Sequence, residues 1–222
     1  MSSESFPVRI EGELDGELSR WLWIVKWFLL IPHYIVLVFL MAGALILTVV
    51  AWIAILFTAR YPRWIFEYNV GVFQWGWRVA FYSYSALGTD RYPPFKLGDV
   101  EYPARLEVDY PERLSRGLAL IKWWLLAIPH YIVVGLLTSG AVYLAESNGE
   151  EAYQAGFSLL GFLVLIAGVS LLFTDRYPRG LFDFVMGINR WSARLWSYVL
   201  LLHDEYPPFR LDMGPQEPVS HD

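Results

Sequence analysis

"WFLLIPHYIVLVFLMAGALILTVVAWIAILFTA" (Trp27–Ala59) and "WWLLAIPHYIVVGLLTSGAVYLAESNGEEAYQAGFSLLGFLVLIAGVSLLFTD" (Trp123–Asp175) contain none of the 17 Lys and Arg residues of this 222-residue chain. A Lys or Arg at the centre of a bilayer costs roughly 2.5–3.5 kcal/mol even on a lenient insertion scale, so their exclusion from both tracts has a physical cause. The reading is an α-helical integral membrane protein of the cell membrane. Composition agrees: 56% of residues are hydrophobic, and aromatic residues are as frequent as charged ones, at 18% each. A soluble domain usually carries about 25% charged residues. With no cysteine, disulfide frameworks, thiolate metal sites and cysteine catalysis are excluded. A net charge of −5 with no free-standing basic patch argues against nucleic acid as a partner. Residues 1–19 are acidic and lack a basic stretch ahead of an apolar one, so no removable signal peptide is expected.

Working outward from the tracts, the same blocks occur twice in unchanged order. "PVRIEGELDGELSR" (Pro7–Arg20) answers "PARLEVDYPERLSR" (Pro103–Arg116), and "IVKWFLLIPHYIV" answers "LIKWWLLAIPHYIV". Past the apolar region "LFTARYPRWIFEYNVG" pairs with "LFTDRYPRGLFDFVMG", and the copies close on "DRYPPFKL" and "DEYPPFRL". The second copy differs mainly by an insertion near Ala145–Gly156. Residues 1–100 form one unit and 101–211 the other, followed by a tail, 212–222, expected to be disordered.

This order of blocks resembles a bacterial membrane family catalogued as domain of unknown function 4389. The resemblance rests on Pro32-His33-Tyr34, Arg60-Tyr61-Pro62, Trp75 with Arg78, and Tyr92-Pro93-Pro94-Phe95. Its second-copy matches are Pro129-His130-Tyr131, Arg176-Tyr177-Pro178, Trp191 with Arg194, and Tyr206-Pro207-Pro208-Phe209. It implies a small multi-pass membrane protein and carries no catalytic residues with it.

A single helix from Trp21 to Ala59 would be roughly 58 Å long, about twice the ~30 Å of hydrocarbon. The expectation is therefore a transmembrane hairpin in each copy, over about 20–59 and 117–174, four spans in all. The first hairpin is expected to turn at Ala42-Gly43-Ala44, with a re-entrant form as its alternative; the second turns at the polar Glu146–Glu151. Basic residues flank both ends of each hairpin, which puts both termini in the cytoplasm and makes the copies parallel repeats.

After each hairpin an amphipathic helix is expected, about 62–86 and 178–202, begun by Pro62 and Pro178. Its polar stripe is only about a quarter-turn wide and survives in both copies. Two placements fit: the cytoplasmic interface, which is preferred, or the bundle interior with the charges paired. Alternation at Val8/Ile10 and Leu106/Val108 predicts short cytoplasmic β-strands that meet across the repeat axis.

Candidate chemistry is sparse. His33 and His130 each follow a proline in a membrane tract, and facing histidines could ligate haem or metal or relay protons; the simpler reading is a hydrogen-bonded histidine at a helix kink. Arg60, Arg63, Arg78, Arg176, Arg179, Arg190 and Arg194 are the candidates for contact with lipid headgroups or the interface. In the Arg-Tyr-Pro turns, Arg snorkels and Tyr anchors. No catalytic residue, metal site or cofactor is expected. The leading reading is a non-enzymatic scaffold or accessory subunit, whose partners are the lipid bilayer and another membrane protein or further copies of itself. A small transporter, channel or lipid carrier is the alternative, and a haem- or metal-binding redox subunit the third.

Overall fold

The computed structural model describes residues 6–139, 142–147, 150–155 and 158–212. The chain is mostly helical. In the first copy β1 (Val8–Gly12) leads to α1 (Leu22–Leu29), α2 (Ile31–Thr58) and α3 (Arg63–Tyr82). In the second, β2 (Ala104–Val108) leads to α4 (Arg116–Ile121), a π-helical turn (Lys122–Leu126) and α5 (Ile128–Thr138). A two-stranded arm, β3 (Val142–Ser147) with β4 (Glu150–Ala155), then precedes α6 (Leu159–Thr174) and α7 (Arg179–Val199). The tail expected to be disordered lies, from residue 213, outside the described residues.

The expected turn at Ala42-Gly43-Ala44 does not form. α2 runs unbroken through it for 28 residues. Gly43 serves close approach rather than a turn, because a β-carbon there would lie 2.8 Å from the Tyr68 hydroxyl, which donates to the Leu40 carbonyl. Among the described residues one helix is long and apolar enough to cross a bilayer, or two if α4 and α5, bent by 44°, count as one; four spans are not supported.

Sequence equivalence explains the second copy. Ile128–Thr138 matches the first 11 residues of α2, and Leu159–Thr174 matches its last 16. The insertion has split one long helix into α5 and α6, which pack on the two halves of α7 as α2 packs along α3. The π-helical turn has its own cause. Between its lysine and histidine the second copy holds one residue more than the first, and a π-bulge absorbs a single added residue without rotating the helix beyond it.

The two expected strands form and meet, and they pair antiparallel in a register centred on Ile10 opposite Leu106. These two are equivalent positions of the two copies, so the ladder itself is twofold symmetric. Val8, Ile10 and Leu106 are buried against α3 and α7, while Arg9 on the other face bonds Glu107 and Asp109.

The amphipathic helices differ from the preferred expectation. Eleven of the 20 residues of α3 and eleven of the 21 of α7 are buried. They form a middle layer between the sheet and the apolar helices, and are not single-sided interfacial helices. Backbone detail is also duplicated. Ala59 and Asp175 end α2 and α6 at φ 57° and 58°, and Leu87 and Leu201 follow α3 and α7 at φ 51° and 64°. Among the described residues these four non-glycine residues in the left-handed region fall as two equivalent pairs, and they mark two turns that each copy over-determines by its packing.

Candidate functional site

Each copy folds its closing "D-x-Y-P-P-F" segment back onto the start of its own apolar helices, and the side chains that meet there are the same twice. Lys26, 1% exposed, pairs with Asp90 at 2.8 Å and donates to the Thr89 carbonyl at 2.7 Å, with its ammonium 4.5 Å from the centre of the Tyr82 ring. Lys122 pairs with Asp204 at 3.0 Å, donates to the His203 carbonyl at 2.6 Å and lies 5.1 Å from the Tyr198 ring. The second oxygen of each aspartate accepts from the backbone N–H of Ser19 or Ser115, at the entry to α1 and α4. A buried ammonium tolerates such a place only with this full set of acceptors.

The tyrosine of the same closing segment joins each lysine's tyrosine ring to the histidine, Tyr92 touching Tyr82 and His33, and Tyr206 touching Tyr198 and His130. Trp75 Nε1 donates to His33 Nδ1 at 3.0 Å, and the imidazole stacks on Phe95 at 3.8 Å with Tyr92 at 4.9 Å. In the second copy Trp191 donates to His130 Nδ1 at 2.9 Å, with Phe209 at 4.2 Å and Tyr206 at 4.9 Å. An indole N–H only donates, so Nδ1 is the acceptor and the neutral ring carries its proton on Nε2. Nε2 is buried in both rings without a hydrogen bond of good geometry, although at His33 the Pro93 backbone lies close enough to interact. A metal or haem iron would need a lone pair on the nitrogen that this arrangement protonates. The two histidines are enclosed by residues of their own copies and are not brought together.

Arg78 and Arg194 are 3% and 2% exposed. Arg78 donates to the carbonyls of Gly98, at 2.8 Å, and Lys96; Arg194 donates to those of Arg210, at 2.9 Å, and Asp212. Their charge closes the loop after Phe95 or Phe209 and does not face the surface. Arg190 is half-buried near Asp183, Glu11 and Asp212, and its burial pulls its pKa down. Arg60, Arg63, Arg176 and Arg179 stay exposed, with Arg63 3.5 Å from Glu67.

The Arg-Tyr-Pro tyrosines, read from the sequence as interface anchors, are buried and cross between copies. Tyr61 donates to the Leu200 carbonyl at 3.4 Å, and Tyr177 to the Ala86 carbonyl at 2.9 Å. Burial pushes the Tyr61 hydroxyl up to about 12 and that of Tyr177 in the same direction. Arg20 bonds Asp175 at 2.8 Å, and Arg116 bonds the Phe57 carbonyl at 2.8 Å, so each copy also ties down the other's helix end. The sequence reading missed these tyrosine roles, along with those of Asp90, Asp204, Phe95 and Phe209. Their retention at matching places in both copies was the available signal.

A model of one family, described as Domain of unknown function (DUF4389), matches residues 20–96 and 152–210, more than half of the chain. The chain belongs to this family. No curated protein and no solved structure matches it. The second DUF4389 segment begins inside the inserted arm and ends two residues before Asp212, so it covers α6, α7 and the closing block.

Among the described residues one Ser–His hydrogen bond remains, specific to the second copy. Ser197 Oγ lies 2.9 Å from His203 Nε2 and donates to the Arg194 carbonyl at 2.9 Å. The hydroxyl proton is already committed, so His203 must be the donor, the tautomer opposite to that of a general base. Burial first, then Lys122, hold His203 down at about 3.

Proposed function

We propose that this DUF4389 protein is a membrane-embedded, non-enzymatic scaffold or accessory subunit, with both termini on the cytoplasmic side. The observation that carries the reading is a contrast in satisfaction. The lysine–aspartate pairs and the loop-gathering arginines repeated in both copies find their partners inside the protein, with Nε2 of His33 and His130 an exception in each cluster, whereas the apolar helices leave large side chains open: Phe39, Phe57 and Phe173 are 74%, 77% and 78% exposed. Only 17% of the most apolar window of α2 is buried within the protein, unlike a core helix of a soluble fold. The polar clusters hold the helices together, and the apolar surface supplies contact with lipid and with other membrane proteins.

Membranes washed with carbonate should retain the protein, and gentle detergent followed by crosslinking should capture a membrane-protein neighbour or a second copy. A lone monomer with no crosslinked neighbour would sink the scaffold role. By length α2 and the bent α4–α5 pair each suffice for a crossing, since 28 residues make about 42 Å against ~30 Å of hydrocarbon; length does not orient a helix, and the multi-pass arrangement it allows is the alternative to a one-leaflet placement.

A carrier is the second reading, favoured by a cavity of about 410 Å³ lined by Tyr34, Met41, Trp77, Asn189, Ser192 and Trp196 among others. Liposomes that move neither ions nor lipid would eliminate it. The redox reading loses support from the tautomer that the tryptophans impose on His33 and His130.

A further inference from the structure

The positions of the two copies bear on how the protein meets the bilayer. The β1–β2 ladder is centred on the equivalent residues Ile10 and Leu106, and both point to the same buried face. A twofold that relates antiparallel strands without exchanging their faces runs normal to the sheet. α3 and α7 obey the same axis. The Tyr61 hydroxyl at the start of α3 reaches the Leu200 carbonyl just past α7, while Tyr177 at the start of α7 reaches Ala86 just past α3. The two helices are therefore antiparallel, and an axis that reverses them lies across them, so both ends of each sit at one depth along it.

α2 is tied to α3 at both ends. Leu30, at its start, packs with Val79 and Tyr82, and Ile55, near its end, packs with Tyr61 and Ile65. In the second copy Ala127 packs with Leu195 and Leu171 with Tyr177 and Phe182, at the two ends of α7. The apolar helices thus begin and end at similar depth. At one pole of the axis lie the exposed charges of the sheet, Arg9 with Glu107 and Asp109. Away from it lie the open side chains of α2 and α6.

We propose that the protein occupies one leaflet, its twofold axis along the membrane normal, α2 and α6 lying in the membrane plane, and its charged sheet facing the cytoplasm. If α2 stood upright instead, the axis would lie in the membrane plane and the Arg9–Glu107–Asp109 cluster would face acyl chains, which is costly for ionised groups. The in-plane arrangement also accounts for the basic residues at both ends of α2: Arg20 before it and Arg60 after it face one leaflet without any crossing between them. The occupant of the apolar face is the acyl layer of a single leaflet.

This proposal rests on the membrane reading above, and its test separates the two. In the cysteine-free chain, Glu17→Cys and Arg60→Cys place a thiol before α1 and after α2. With a membrane-impermeant maleimide, both should react in inverted membrane vesicles and both should be protected in spheroplasts. Nitroxides attached through Ile35→Cys, Ile46→Cys and Ile53→Cys, which share one face of α2, should report equal depth in lipid. Labelling from opposite sides, with depth greatest at position 46, would overturn the in-plane arrangement and leave the membrane reading standing. Dipolar broadening between labels would put a second copy on this face and also overturn it. Nitroxides fully open to water in carbonate-washed samples would sink both readings.

Discussion

The first copy spans the length of α3 with one unbroken helix, whereas the second covers α7 with two shorter ones and an arm between them. Yet the lysine–aspartate pair, the tryptophan–histidine bond and the arginine that gathers loop carbonyls are the same in both. This contrast locates the residues that specify the fold. The clusters fix the ends of the apolar helices, and the middle of a helix between them is free to accept an insertion. Backbone compensation follows the same rule, since the π-helical turn keeps Lys122 and His130 in place despite the added residue.

The largest expected effect tests the equivalence of the clusters. Asp90→Ala leaves the Lys26 ammonium buried without its counter-charge and frees the Ser19 N–H, which should cost about 3 kcal/mol. Asp204→Ala should cost about the same, and thermal unfolding in detergent micelles reads both. If one variant lost far more than the other, the two clusters would not be carrying equal loads.

Next comes acid. His203 stands where the first copy has Thr89, and its pKa of about 3 lies below the usual histidine value near 6.5. The unfolded chain binds the proton first, so stability is full above pH 6.5 and is lost as pH falls toward 3. Between pH 7 and pH 5 the loss should be about 2 kcal/mol. His203→Thr, which installs the first copy's residue, should flatten that slope; an unchanged slope would move the acid response elsewhere.

Smallest is removal of the arm. Replacing residues 139–158 with one alanine joins α5 to α6 at the 28-residue length of α2. Stability should change by no more than about 1 kcal/mol, while circular dichroism gains helix. A collapse of the fold would make the arm a structural element.

Much of the architecture was legible from local pattern. Alternation at Val8/Ile10 and Leu106/Val108 gave the strands, and the repeated blocks gave their meeting. Length misled over Trp21–Ala59: apolar chain about twice as long as a bilayer is thick reads as two crossings only if it folds back on itself, and Gly43 reads as a turn only while Tyr68 is unseen against it. The helical-wheel stripe placed Arg78 and Arg194 on one polar face, but the carbonyls that cover them come from loops 16 to 20 residues further on. His33 was singled out, while its stacking partner Phe95 lies too far along the chain for any periodicity to pair them.

The ladder joining Ile10 to Leu106 has a consequence for descent. A half-length ancestor holding one copy would carry a lone edge strand with the same sequence pattern on every chain, and two such chains could zip together about the identical centre, as closed C2 homodimers do. Fusing the genes would preserve that handshake and let the halves diverge, one keeping its helix whole and the other acquiring an arm.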